Sequence, residues 1–151
     1  MENLNPRNPL LDRVEIREYQ QQIIDAVIQK IQSGAKRVMF ALPVGCGKTF
    51  ILKKLAVILG EPDGSNVVFI TGYKASAEQI KYDYSDNHPK AQIVTFHRLE
   101  RSPDDYLNSS KIVFVDDLHI NARRALSNIL EHYDCSVISS TSYPFGSQEV
   151  R

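Results

Sequence analysis

The nine residues Ala41-Leu42-Pro43-Val44-Gly45-Cys46-Gly47-Lys48-Thr49 constrain this chain more than any other stretch. One apolar run, Arg37 to Phe40, leads into them, and another, Phe50 through Leu59, leads out. Strand, glycine-punctuated loop, Gly-Lys-Thr and helix form the order that an anion cradle requires. Successive backbone N–H groups converge on the anion, and the helix adds its positive end. Gly45 and Gly47 remove side chains that would hold a phosphate away from the backbone. Val44 to Lys48 line the cradle, Lys48 reaches the β/γ-phosphates of a nucleotide, and the Thr49 hydroxyl is placed for Mg²⁺. The strict pattern asks for a glycine five residues before Gly47, and Leu42 stands there. An ordinary strand–helix turn is therefore the competing reading until partner motifs appear downstream.

The rest of the chain supplies limits. Its 151 residues are one domain's worth, long enough to bury a core. Eighteen basic and eighteen acidic residues cancel, so any nucleic-acid surface must be a local patch. Cys46 and Cys135 do not make a disulfide framework, and no apolar run approaches a membrane span. Met1 to Arg13 lacks the apolar stretch of a signal peptide, which sets a cytoplasmic, reducing location as the expectation.

Residues 1–15 read as a loose lead-in and 16–151 as a single domain. Arg17-Glu18-Tyr19-Gln20 opens a helix with Ile23, Ile24, Val27, Ile28 and Ile31 on one face, ended by Ser33-Gly34. A strand over 37–42 and a helix over 48–59 flank the glycine loop. Val67 to Ile70 is a buried-strand run, and Ser76 with Gln79 fits a capping box for a short helix. The polar stretch Asp83 to Lys90 reads as loop, Gln92 to Phe96 as a third strand, and 97–110 as a surface connection. Lys111 to Val115 is a fourth strand. A helix from about Asn121 places Ala122, Ala125, Leu126, Ile129 and Leu130 inward, with Arg123 and Arg124 outward. Ser136 to Ser140 is a fifth strand. Strands alternating with helices imply an α/β fold, a parallel sheet covered on both faces.

An apolar strand ending in Asp116-Asp117 supplies the second half of a nucleotide site. Asp116 can hold Mg²⁺ through water, and Asp117 can orient or deprotonate an attacking water. Acids at a helix start would explain the pair by itself, but not beside a Gly-Lys-Thr loop. His88, His97, His119 and His132 have no metal-ligand spacing with the cysteines. No nucleophile elbow turns Ser139 or Ser140, with His119 and Asp116, into a triad. Arg98 and Arg101 read equally as phosphate-backbone contacts and as a solvated loop.

With these residues in hand, the sequence resembles the first RecA-like motor domain of superfamily 2 helicases and translocases, over roughly residues 16–145. The similarity is to the DEAD/DEAH-box superfamily's restriction-enzyme-motor and UvrB-like branch. Arg17-x-Tyr19-Gln20 looks like the family's adenine-reading motif, in which Gln20 pairs with the base edge, as a carboxamide suits adenine's N6/N7. Gly45 to Thr49 matches the family's phosphate loop, including a shorter Gly-x-Gly-Lys-Thr form that accommodates Leu42. Asp116-Asp117-Leu118-His119 matches its Asp-Glu-x-His box, and Thr141-Ser142-x-Pro144 its Thr-Ala-Thr-Pro coupling motif. Phe69 to Lys74 and Val94 to Arg98 occupy the places of strand-contacting motifs, although Gly72-Tyr73-Lys74 lacks the usual proline.

The resemblance implies a P-loop NTPase that uses ATP and Mg²⁺, with Lys48, Asp116, Asp117 and His119 in the chemistry. It places the strand ending at Ser140 between the phosphate-loop strand and the Asp116 strand, with Thr141 and Ser142 near the γ-phosphate. It also implies nucleic acid as partner, DNA before RNA, and a second RecA-like domain that the 151 residues do not include. Asp117 stands where the family has a glutamate, one methylene longer. A degenerate nucleotide-binding or scaffold module without turnover is the alternative expectation.

Overall fold

The computed structural model describes residues 16–108 and 111–142. Helix α1 (Glu18–Gln32) buries Ile24 and Val27 along its stripe and ends at Ser33, with Gly34 at φ +102° just beyond. Strand β1 (Arg37–Leu42) runs through the glycine loop into α2 (Lys48–Leu59). Ile51, Leu52 and Leu55 of α2 are fully buried, each stabilising by roughly 1.5–3 kcal/mol relative to exposure. Then come β2 (Val67–Thr71), α3 (Lys74–Ile80), a π-helical turn (Lys81–Ser85) and β3 (Gln92–Thr95). Two short helices, α4 (Phe96–Arg101) and α5 (Asp104–Leu107), precede β4 (Lys111–Asp116), α6 (Ile120–Leu130) and β5 (Cys135–Ser142).

All five strands are parallel, in the order β1-β5-β4-β2-β3. The strand ending at Ser140 does lie between the phosphate-loop strand and the Asp116 strand. Register aligns Leu42 with Ser142 and Asp116 with Ser140, so the chemistry-bearing ends share one edge of the sheet. A parallel sheet buried on both faces needs apolar residues at successive positions, and β2 is buried throughout. One face packs Phe69, Phe114 and Ile138 against α1 and α2; the other packs Val68, Val113 and Val137 against Leu99, Leu107, Leu126 and Leu130. Among the described residues, no helix is long and apolar enough to cross a membrane.

Several local expectations change. The stretch 97–110 contains α4 and α5, each anchored by one buried leucine, Leu99 and Leu107. Strand β3 stops at Thr95 because its hydroxyl accepts from the Arg98 N–H at 3.3 Å, capping α4 and drawing Phe96 into the helix. Helix α3 starts two residues before Ser76, with Tyr73 at its N-cap and no side-chain cap, so the Ser76–Gln79 box does not form. Arg123 is half-buried, lining a cavity of about 240 Å³ between α6, β1 and β5, and its Nε has no hydrogen-bond partner.

The polar segment from Asp83 is also not a plain loop. Asp83 lies in the π-helical turn, 8% exposed, and pairs with Lys53 of α2, also 8% exposed. Gln79 Nε2 donates to the second Asp83 oxygen at 3.2 Å. This pair fastens the α3 region to the helix that begins at the phosphate loop. Removing one member strands the other charge in the core. Asp83→Ala should therefore cost about 3–5 kcal/mol in urea unfolding, whereas Lys53→Met with Asp83→Leu should be close to neutral or more stable.

Candidate functional site

The glycine loop leaves β1 and enters α2 with Gly45 at φ +88° and Gly47 at φ +86°, both in the left-handed region that favours glycine. Gly47 is the α2 N-cap, so no side chain caps the first N–H groups of that helix. Those donors are free to meet an anion. A Cβ at Gly47 would lie 2.5 Å from Gln20 Nε2, so a side chain there would displace the Gln20 amide. Val44 is 82% exposed at the loop tip, and the Lys48 side chain is 10% exposed.

Across the strand ends the two carboxylates are held differently. Asp116 is 8% exposed; its Oδ2 accepts from Thr49 Oγ1 at 2.9 Å and its Oδ1 from Ser140 Oγ at 3.3 Å. Burial pushes its pKa above the ordinary carboxylate range, opposed by the Thr49 hydrogen bond and reinforced by the Asp117 charge. Asp117 is the one non-glycine residue at positive φ among those described, at +48°. Its N–H donates to the Ser140 carbonyl at 3.1 Å, and its carboxylate accepts from the Ser142 N–H at 3.2 Å and the Ser142 hydroxyl at 3.0 Å. Lys48 Nζ stands 3.8 Å from the same carboxylate. An exposed His119 caps α6, its Nδ1 accepting from the Asn121 N–H at 3.2 Å. In the neutral ring the proton is then on Nε2.

The base-end motif also reaches the loop. Gln20 is 7% exposed and does not face solvent: Nε2 donates to the Cys46 carbonyl at 3.3 Å, and Oε1 accepts from the Arg17 N–H at 3.0 Å. The exposed Arg17 is the α1 N-cap. Tyr19 Oη donates to the same Cys46 carbonyl at 2.8 Å. The fold thus gathers Arg17, Gln20 and Gly45 to Thr49 with Asp116, Asp117 and Ser142. Thr141 does not share that face. Strand alternation puts it with Ser139 on the α6 side, while Ser140 and Ser142 face the loop. Pro144 lies outside the described residues.

Sequence reasoning passed over Tyr19 and Ser140 as members of the site. Ser140 carried a readable signal, its spacing of two from Ser142 on one strand face. Tyr19 stands inside the Arg17-x-Tyr19-Gln20 motif, but nothing in the motif points to its partner, a backbone carbonyl.

The donor set suits a magnesium nucleotide. Among the described residues no cluster of three His, Cys, Asp or Glu could hold a metal outright. One hydroxyl and one carboxylate, Thr49 and Asp116, are what Mg²⁺ takes from a protein when phosphates and water complete its shell. A parallel sheet with a glycine loop feeding a helix N-terminus, and acids at the end of a non-adjacent strand, defines a RecA-like P-loop nucleotide-binding domain.

Comparison with known proteins narrows this class. Residues 13–138 match the family described as type III restriction enzyme, res subunit, and the chain belongs to that family. A candidate ATP-dependent helicase of Saccharomyces cerevisiae, IRC3, is 26% identical, aligned over 80% of this chain and 21% of its own length. The UvsW helicase of bacteriophage T4 superposes with a TM-score of 0.62 at 18% identity, over 86% of this chain and 53% of that one. The chain therefore spans about a fifth to a half of these relatives. Together they mark it as the ATP-binding, RecA-like N-terminal motor domain of the superfamily 2 helicase type.

The raised Asp116 pKa has a sign. A carboxyl whose folded pKa exceeds its unfolded value stabilises at low pH, and that stability is lost as pH rises through the folded value. Asp116→Asn should raise the melting temperature of the nucleotide-free chain at neutral pH and flatten its decline between acid and neutral pH. Scanning calorimetry across pH checks it; an unchanged pH profile would contradict the burial argument.

Proposed function

We propose that this domain binds MgATP at the β1–α2 loop and hydrolyses it to drive movement along nucleic acid, DNA before RNA, in concert with a second RecA-like domain. The observation that carries the reading is the Thr49–Asp116–Ser140 network, which joins the phosphate loop to the central strands. Gly45 to Lys48 take the phosphates on backbone N–H groups and the Lys48 ammonium. Gln20 has a second amide N–H and a second Oε1 lone pair besides the two used in these contacts, the groups that would read an adenine edge. Thr49 and Asp116 are the residues that hold Mg²⁺, which when bound neutralises charge building on the phosphates.

Asp117 is the group that orients or deprotonates the attacking water. In this structure it accepts from Ser142 and neighbours Lys48, so the loop lysine and the end of β5 meet on one carboxylate. A change at the γ-phosphate that draws Lys48 away would loosen Asp117 from Lys48 while Ser142 still holds it. That gives a route by which β5 senses the nucleotide. His119, whose Nδ1 accepts from the Asn121 N–H at the start of α6, would pass the same event to a bound strand through Nε2. Thr141, on the other face of β5, would join this coupling only through the backbone it shares with Ser142.

Two outcomes test the reading. Lys48→Ala should abolish measurable MgATP binding by calorimetry while circular dichroism shows an intact fold, since Lys48 opens the first turn of α2 and belongs to neither hydrophobic core. Equal affinity for both proteins would remove the phosphate-loop assignment. Asp117→Glu, in a protein that also carries the second motor domain, should change turnover with little change in ATP affinity. A rate rise means that carboxylate reach limits the reaction; misplacement by about 1 Å is enough for a hundredfold effect. A rate fall means that the Ser142 contacts have fitted the site to aspartate.

A further inference from the structure

The glycine loop braces itself only weakly, through one long backbone bond from the Cys46 N–H to the Pro43 carbonyl at 3.3 Å. Gly45 and Gly47 are both at positive φ, and neither has a side chain to resist rotation of the peptide planes around them. A second brace comes from outside, and it converges on a single oxygen. Tyr19 Oη donates to the Cys46 carbonyl at 2.8 Å and Gln20 Nε2 to the same carbonyl at 3.3 Å. The Gln20 amide is itself fixed, because its Oε1 accepts from the Arg17 N–H at 3.0 Å.

We infer that Tyr19 is a positioning residue of the phosphate loop: its hydroxyl, acting with Gln20, orients the Cys46–Gly47 peptide so that the Gly47 N–H is presented to the triphosphate. This rests on the nucleotide site described above. The step from contact to role is peptide geometry. In a trans peptide the C=O and the following N–H point in opposite directions. A carbonyl drawn toward α1 therefore turns the Gly47 N–H away from α1, toward the anion side of the loop.

The two donors differ in kind. Gln20 divides its amide among Arg17, Cys46 and any adenine, so its grip on the loop changes with the base. Tyr19 makes the shorter of the two contacts, and it is Gln20, not Tyr19, whose carboxamide suits the base edge. It holds the loop in the same orientation whatever nucleotide enters. Its contribution should thus appear in phosphate affinity, independent of the base.

The test uses Tyr19→Phe, which keeps the ring and deletes only the donor. Calorimetric titration of the chain with MgATP, MgGTP and magnesium tripolyphosphate reads the effect. All three should weaken by the same factor, roughly 3–10-fold, the scale of one hydrogen bond. The melting temperature without ligand should stay close to wild type, because Gln20 still satisfies the Cys46 carbonyl. A lowered melting temperature with unchanged tripolyphosphate affinity would show a staple between α1 and the loop and overturn the inference. So would a chain that no longer folds, or a loss confined to MgATP, which would make Tyr19 a base reader. Wild-type protein that binds none of the three refutes the nucleotide site and Tyr19's role together. Wild-type binding with an unaltered Tyr19→Phe refutes the role of Tyr19 alone.

Discussion

One buried carboxylate, Asp116, ties together parts of the chain that sequence keeps far apart. Its two oxygens accept from Thr49 at the first turn of α2 and from Ser140 near the end of β5. A carboxylate taken from water is costly unless its lone pairs are met, and two hydroxyls meet them only partly. The residual cost is visible in the raised pKa. A divalent cation held there would relieve that cost. Through Asp116 the first turn of α2, the end of β4 and the end of β5 meet at one side chain.

Much of the fold was legible because parallel strands buried on both faces announce themselves as unbroken apolar runs. β1, β2 and β4, and the stripe on α1, could be marked within a residue or so at their ends. The short helices were not legible. Helices α4 and α5 each bury a single leucine, and one anchor has no period. Phe96 was read as the end of a strand, whereas the Thr95 hydroxyl caps a helix that begins there. Lys53 stands inside the apolar run from Phe50 to Leu59 and is buried, its partner lying 30 residues away in a segment that read as polar loop.

The site divides the same way. The glycine loop and the Asp116-Asp117 pair are local patterns and could be seen directly. Their meeting is not local: it depends on β5 lying between β1 and β4, an order that came from family resemblance and not from periodicity. Thr141 shows the limit of carrying motifs over by position. The motif names Thr141 and Ser142 together, yet only Ser142 has the phase to bind Asp117, and Ser140, outside the motif, binds Asp116.

Strand β5 is written almost entirely in hydroxyls: Ser136, Ser139, Ser140, Thr141 and Ser142 surround Val137 and Ile138. Slid by one residue, it would still offer a hydroxyl at nearly every place the site uses. Chemistry therefore does not choose its alignment; two aliphatic side chains do, with Val137 buried in one core and Ile138 in the other. A slip would exchange those two cores' occupants and turn every hydroxyl to the opposite face. The practical consequence concerns register. Hydroxyl-for-hydroxyl exchanges in β5 are changes of degree, whereas a one-residue shift in register exchanges Val137 and Ile138 between the two cores. Descendants of this sequence should accordingly vary freely in which small polar residue they use along β5, and hardly at all in the register that Val137 and Ile138 set.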